Sequence, residues 1–281
     1  MNNINVLPFY LTLQEQHFRA EYAYGEKFSL IAPKQKLLPF QIVRDASENS
    51  VSDVTLVNFN TGTETDLTAD IAAAGLSYQN YGSYDVIYFT GINALSTQLQ
   101  QGLHYLRISD GAEVWYSDLL NLVSDVSDYL KIEYWDGANL VFEGGEIHYQ
   151  NRFKLSAYLP TVLGYPEYIF EEQVTRRDGL TFPEKRLAYK TYKFNFIAPE
   201  YLCDALRVAA ISDKVYITDK NKTYISDRFL MTPKWQSGGF YAVIEAEFEA
   251  GTIFKKTGIL AGDGSGDFNT AFTNGFTNGF L

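Results

Sequence analysis

Short runs of β-branched and aromatic residues, each closed by a turn signal, recur along this 281-residue chain, and that punctuation constrains the fold more than any other feature. Leu103–Ile108 and Val114–Ser117 flank Asp110-Gly111, and Lys131–Trp135 and Leu140–Phe142 flank Asp136-Gly137. Asp-Gly between two apolar runs is the strongest short hairpin signal, because a tight turn needs φ > 0 and glycine adopts it without strain. Further strands are predicted from Phe28 through Ile31, at Val54–Phe59 before the Asn60-Thr61-Gly62 turn, and at Tyr84–Phe89. Val215–Thr218 and Thr223–Ile225 are expected to pair across a turn at Asp219–Lys222. Tyr192, Phe194 and Phe196 alternate with Thr191, Lys193 and Asn195, which gives one apolar face. Ala242, Ile244, Ala246 and Phe248 alternate with Tyr241, Val243, Glu245, Glu247 and Glu249, so the acidic face must be wet or meet cations.

Two helices stand out against this pattern. Asp66–Gly75 is short, with Asp66 placed to accept from the first backbone N–H groups and Gly75 to close the end. Pro199–Ala210 is the longer one, with Pro199 in its first turn and Leu202, Leu206 and Ala209 on one face.

Charge divides the chain. Residues 1–125 carry −8, residues 126–258 carry −1, and residues 259–281 hold only Asp263 and Asp267. The expected organisation is an immunoglobulin-like β-sandwich with an N-terminal arm at 1–125, a second β-rich domain with one α-helix at 126–258, and an extended Gly-rich spacer and tail at 259–281.

Composition excludes several functions. A net charge of −11 argues against a nucleic-acid binder or a peripheral binder of anionic membranes, both of which need a basic footprint. One Cys and three His leave no disulfide framework and no Cys-based zinc site, and no cofactor is expected. No apolar stretch reaches 18 residues, so no membrane insertion is expected, and the N-terminus lacks the basic start of a secretory signal. The lone Cys203 fits a chain made in a reducing cytosol, and the Asn221-Lys222-Thr223 sequon reads as a plain turn.

Catalytic candidates are few. His17, His104 and His148 lie far apart, and Cys203 sits inside the predicted helix beside Leu202, so structural roles are expected. Glu143 with Glu146, and Glu171 with Glu172, are carboxylate pairs of the kind that glycoside hydrolysis uses, but acidic pairs on β surfaces are common. Gly262-x-Gly-x-Gly follows no strand that feeds a helix and carries Asp where a phosphate loop carries Lys, so it reads as a linker. Tyr78, Tyr81, Tyr84 and Tyr88 are candidates for stacking on sugars, against the plainer reading as core or cross-strand pairs.

Two features point to interfaces. Arg176, Arg177, Lys185 and Arg186, with Lys190 and Lys193, form a basic cluster diluted by Asp178 and Glu184; the plain reading is a solvated loop and strand face, and the sharper one a contact for an acidic neighbour such as the acidic first domain of another copy. Phe268, Phe272, Phe276 and Phe280 recur at a spacing of four on a Gly, Asn and Thr background. Gly275 and Gly279 each weaken a helix by about 1 kcal/mol, so no isolated helix is expected. The plain reading is a terminus without order of its own, and the sharper one is an arm whose Phe rings dock in an apolar groove on a neighbouring subunit, each ring contributing roughly 2–3 kcal/mol against the entropy of ordering.

Lys190–Asp204 (KTYKFNFIAPEYLCD) is the most distinctive stretch, supported by Ile211–Asp219, Thr232–Gln236, Val243–Glu249, Tyr105–Gly111 and Tyr116-Ser117. Over roughly residues 100–258 these resemble structural proteins from the tail modules of phages and prophages of Bacteroides-type bacteria. The resemblance implies a non-enzymatic virion component of the tail or baseplate, made in the host cytoplasm, whose partners are other copies of itself and other virion proteins. The alternative is a carbohydrate-binding or adhesion module for host-surface glycans, and a glycan-active enzyme is the third reading.

Overall fold

The computed structural model describes residues 5–13, 28–46, 49–135, 142–144, 147–149, 154–177, 180–235 and 241–257. Strand accounts for 57% and helix for 10%, so the chain is mainly β, as the punctuation predicts. In chain order the strands are β1 Phe9–Tyr10, β2 Leu30–Pro33, β3 Phe40–Asp45, β4 Asp53–Asn58, β5 Glu64–Asp66, β6 Leu76–Asn80 and β7 Tyr84–Phe89. They continue with β8 Gly102–Ser109, β9 Val114–Ser117, β10 Leu120–Val123, β11 Leu130–Trp135, β12 Phe142–Gly144, β13 Ile147–Tyr149 and β14 Leu155–Leu159. The last are β15 Glu167–Arg177, β16 Leu180–Pro199, β17 Lys214–Asp219, β18 Lys222–Ser226, β19 Phe229–Trp235 and β20 Tyr241–Thr257. Two α-helices, α1 Thr68–Ala74 and α2 Glu200–Arg207, and a 3-10 turn at Ala209–Ile211 complete the set among the described residues.

Contacts divide the chain into one unit of Met1–Glu167 with Lys190–Gly251 and another of Tyr168–Tyr189 with Thr252–Leu281. The expected domains, 1–125, 126–258 and 259–281, cut the chain at different places. In the first unit, one large sheet has the order β1-β9-β8-β10-β2-β14-β11-β17-β18, with β4 and then β5 added beside β8. It takes strands from both sides of residue 125, because β10 pairs in parallel with β2, and β2 pairs with β14 at Ile31↔Tyr158.

A separate sheet, β3-β7-β6, belongs to the same core. Register puts Phe40 opposite Phe89, Ile42 opposite Ile87 and Arg44 opposite Asp85. Alternation therefore places Phe40, Ile42 and Arg44 on one face of β3. Val54, Leu56, Leu106, Ile108 and Trp115 supply the apolar side chains of the large sheet to that core. Strand β8 shares one edge between two partners, β9 at its C-terminal end and β10 at its N-terminal end. Where the partners change over, the Ser117 hydroxyl accepts the Leu106 N–H at 2.8 Å, so the buried donor is satisfied.

The first Asp-Gly signal lies between β8 and β9 as expected, with Gly111 at φ 87°. The connection is a four-residue turn, Asp110 to Glu113, wider than the two-residue form. Asp110 holds it by accepting from the N–H groups of Ala112 at 2.9 Å and Glu113 at 2.8 Å.

The second Asp-Gly signal requires a correction. Asp136 and Gly137 lie outside the described residues, but β11 pairs with β14 along one edge and β17 along the other. Both edges of β11 are thus taken by strands distant in sequence, and Phe142–Gly144 pairs with β13.

Helix α1 begins beside Asp66, whose carboxylate accepts the Thr68 N–H at 2.8 Å, and ends at Gly75 with φ 86°. Helix α2 follows Pro199 and buries Tyr201, Leu202, Cys203, Ala205 and Leu206. Tyr134 on β11 fixes it by donating to the Ala205 carbonyl at 2.7 Å. The alternation of β16 and β20 appears as expected, with Tyr192, Phe194, Phe196, Ala242, Ile244, Ala246 and Phe248 all buried.

Strands β17 and β18 meet at Asp219↔Lys222, so the turn between them is Lys220-Asn221, and Lys220 stands at φ 53°. A left-handed conformation costs a non-glycine residue about 1–2 kcal/mol. Lys220→Gly is therefore expected to stabilise the chain by about 1 kcal/mol, read as a shift in the urea midpoint. An unchanged or lower midpoint contradicts this.

Candidate functional site

The strand β15 carries the most exposed apolar side chains in the described structure. Tyr165, just before it, is 98% exposed, and within it Tyr168, Phe170 and Val174 are 65%, 76% and 43% exposed. Tyr168, Phe170 and Val174 occupy even positions, so period-two geometry puts them on one face with Glu172 and Arg176. Among the described residues the sheet order β15-β16-β20-β19 places β15 at its end. A strand edge with apolar side chains standing in water is a template for another chain.

Salt bridges and hydrogen bonds stiffen this strand. The Arg186 guanidinium lies 2.8 Å from the Glu172 carboxylate, and the Tyr189 hydroxyl donates to Glu171 at 2.7 Å. Adjacent strand residues point to opposite faces, so Glu171 and Glu172 do not form one acid–base site. Of the basic cluster, Arg176 is exposed, Lys185 is half-buried, and Arg186 is engaged with Glu172. Arg177 lies in β15, its side chain outside the described part. Lys193 reaches Glu167 at 2.6 Å and Glu247 at 3.9 Å, and the bond to Glu167 raises its pKa above the ordinary lysine range. The acidic face of β20 does meet cations: Glu245 pairs with Lys234, Glu247 with Lys193, and Glu249 with Arg228.

A second region is polar. Arg44 on β3 is buried, and its guanidinium bonds Asp110 and the Asn49 carbonyl and lies 3.8 Å from Asp85. Burial works to raise the Asp110 carboxyl, but the N–H groups of Glu113 and Ala112 and the Arg44 charge hold it below the usual carboxylate range. Beside this knot opens a cleft lined by Arg44, Asn49, Ser50, Tyr78, Asn80 and Asp85. Of the four tyrosines considered for sugars, Tyr78 borders the cleft and accepts the Val51 N–H at 3.0 Å, and Tyr88 is buried. Tyr81 and Tyr88 lie hydroxyl to hydroxyl at 3.4 Å, and Tyr84 is half-buried. Sequence reasoning missed Arg44 as the organiser, since a lone Arg in an apolar run carries no local signal of its partner 66 residues away.

A third cluster lies on the open face of β11. Glu133 receives Lys131 at 2.8 Å and Lys154 at 2.7 Å, which hold its carboxyl below the usual range against the opposing effect of burial. Lys154 stands 4.7 Å from the Trp135 ring centre, and Trp135 stacks on Tyr216 at 4.4 Å.

The remaining candidates are structural or lie beyond description. His104 is buried, donates from Nδ1 to the Gly102 carbonyl at 2.9 Å, and accepts at Nε2 from Asn58 at 3.3 Å, as expected for a structural histidine. Glu143 and His148 face each other in the β12–β13 pair. Their side chains, His17, Glu146, the glycine spacer and Phe268, Phe272, Phe276 and Phe280 lie outside the described residues. Cys203 is buried, and desolvation pushes its thiol up to about 12. A thiol reagent at about pH 8 is therefore expected to leave the native chain unlabelled and to modify one cysteine once urea unfolds it. Rapid native labelling overturns that placement.

The chain matches no protein-family model, and no curated protein and no solved structure was found to match it.

Proposed function

We propose that the chain is a non-enzymatic structural subunit of a phage virion, of the tail or baseplate, that assembles through subunit–subunit interfaces. One observation carries this reading: the exposed row Tyr168, Phe170 and Val174 on the end strand of a sheet, with Tyr165 beside it. Aromatic side chains concentrated on a strand edge are the composition and geometry of an interface core. The resemblance of residues 100–258 to phage tail proteins supplies the setting.

The proposal includes an immunoglobulin-like sandwich in the N-terminal part. Lettering β3 to β9 as B, C, C′, D, E, F and G in chain order gives one sheet B-E-D and, within the large sheet, C′-C-F-G. This order supports the immunoglobulin-like reading, in a chain without the disulfide that antibody domains carry.

The virion reading is tested by intact-protein mass spectrometry of purified particles from a lysate in which the gene is expressed. The chain is expected in stoichiometric amount, and its absence from particles that retain their tails overturns the reading. The cleft beside Tyr78, with Asn49, Asn80 and Asp85 at its walls, favours a second reading as a glycan-binding module. Saturable binding on a glycan array that Tyr78→Ala abolishes supports the second reading over the first.

A further inference from the structure

We propose that residues 267–281 of one copy add as an antiparallel strand to the β15 edge of a second copy. The inference rests on the assembly reading and names the two surfaces that meet. The first surface is β15, the end strand of its sheet among the described residues, whose even face reads Phe170, Glu172, Val174, Arg176, apolar and charged in alternation. The second is read from the sequence. Phe268, Phe272, Phe276 and Phe280 are four apart, an even number, so an extended chain places all four on one side. Between them on that side come Thr270, Asn274 and Asn278. The tail thus alternates apolar and polar on one face with the same four-residue repeat as Phe170 and Val174, which are about 13 Å apart along the strand.

Matching the repeats sets a register. Phe272 lies opposite Val174, Phe276 opposite Phe170, and Asn274 opposite Glu172. Charge sets the direction. In the antiparallel sense Asp267 and the spacer Asp263 enter at the end where Arg176 and Arg177 stand, and in the parallel sense they enter at the opposite end. Backbone bonds to the edge supply affinity, and the phenyl rings over Phe170 and Val174 supply the choice of partner. Each copy offers one edge and one tail, so two copies exchanging tails close a twofold pair, and copies passing tails onward build a ring or a filament.

Disulfide trapping between two full-length chains tests the contact. Opposed residues in an antiparallel pair have Cα atoms about 4.5–5.5 Å apart, inside the range a disulfide bridges. The native Cys203 is buried and does not compete. Phe170→Cys and Phe276→Cys chains, one of them carrying a mass label, are mixed and mildly oxidised. The expected product is a mixed covalent dimer, at least fivefold more abundant than from Phe170→Cys with Thr277→Cys, which points to the other face. No mixed dimer from chains that still assemble overturns the strand exchange and leaves the assembly reading intact. Chains that never assemble overturn that reading as well. A double variant that closes on itself as a cross-linked monomer at high dilution also overturns the proposal, since the edge then takes its own tail.

Discussion

Arg44→Ala is expected to lower the stability of the chain by about 3–5 kcal/mol, the range found when one partner of a buried ion pair is removed. The reason is geometric. Arg44 shares the core-facing side of β3 with Phe40 and Ile42, and its guanidinium is held by Asp110 and the Asn49 carbonyl. Removing it leaves the buried Asp110 carboxylate without its counter-charge. Asp110→Ala is expected to fall in the same range, and the double variant well short of the sum, because both changes break one interaction. Urea titration of the four proteins checks this, and two losses under 1 kcal/mol contradict it.

Asp110, with Glu133 on β11, also sets a pH dependence. The folded Asp110 and Glu133 carboxyls are held below their ordinary values, so the stability they contribute is present above about pH 4–5 and is lost as pH falls through the lowered folded values. Asp110→Asn is accordingly expected to be weaker than the native chain at pH 7, with the gap narrowing as acid is added. A gap that widens in acid reverses the assigned sign.

Phe248→Ala is the second large effect, at about 3–5 kcal/mol. Phe248 is fully buried on β20 and lies within 5.5 Å of the Tyr192 ring, 5.7 Å of Tyr224 and 6.4 Å of Phe194, centre to centre. These rings come from three strands, β16, β18 and β20, so the cavity is shared by rigid elements and collapses poorly. Phe248→Leu keeps most of the volume and is expected to recover more than half of the loss. Equal losses from Ala and Leu contradict a packing origin and point to the ring contacts themselves.

What was legible in the sequence is what lies close along the chain. Tyr84–Phe89 is a strand over the bounds expected, Asp66 and Gly75 bracket α1, and the alternations in β16 and β20 bury the residues they name. What was not legible depends on partners far away. Lys131–Trp135 reads as half of a hairpin, yet β14 and β17 occupy both its edges. The parallel pairing of β10 with β2 leaves no trace in local pattern, so a change of charge near residue 125 reads as a boundary through which one sheet in fact continues. The alternation left open whether Glu245, Glu247 and Glu249 face water or cations, and only the folded chain brings Lys234, Lys193 and Arg228 to them. The interface candidates divide in the same way: a run of basic residues is visible locally, and the apolar row on β15 becomes a surface only once the sheet order shows that nothing among the described residues lies beyond it.

The central claim is that this chain works by binding copies of itself through β15, and the mass of the full-length protein in solution tests it most directly. The native chain is expected at a multiple of 31.8 kDa. A variant with Phe170→Ser and Val174→Ser is expected at 31.8 kDa at the same concentration with a similar melting temperature, since both side chains are exposed in the single subunit. A native chain that is monomeric at every concentration measured, or a variant that assembles as the native chain does, contradicts the claim.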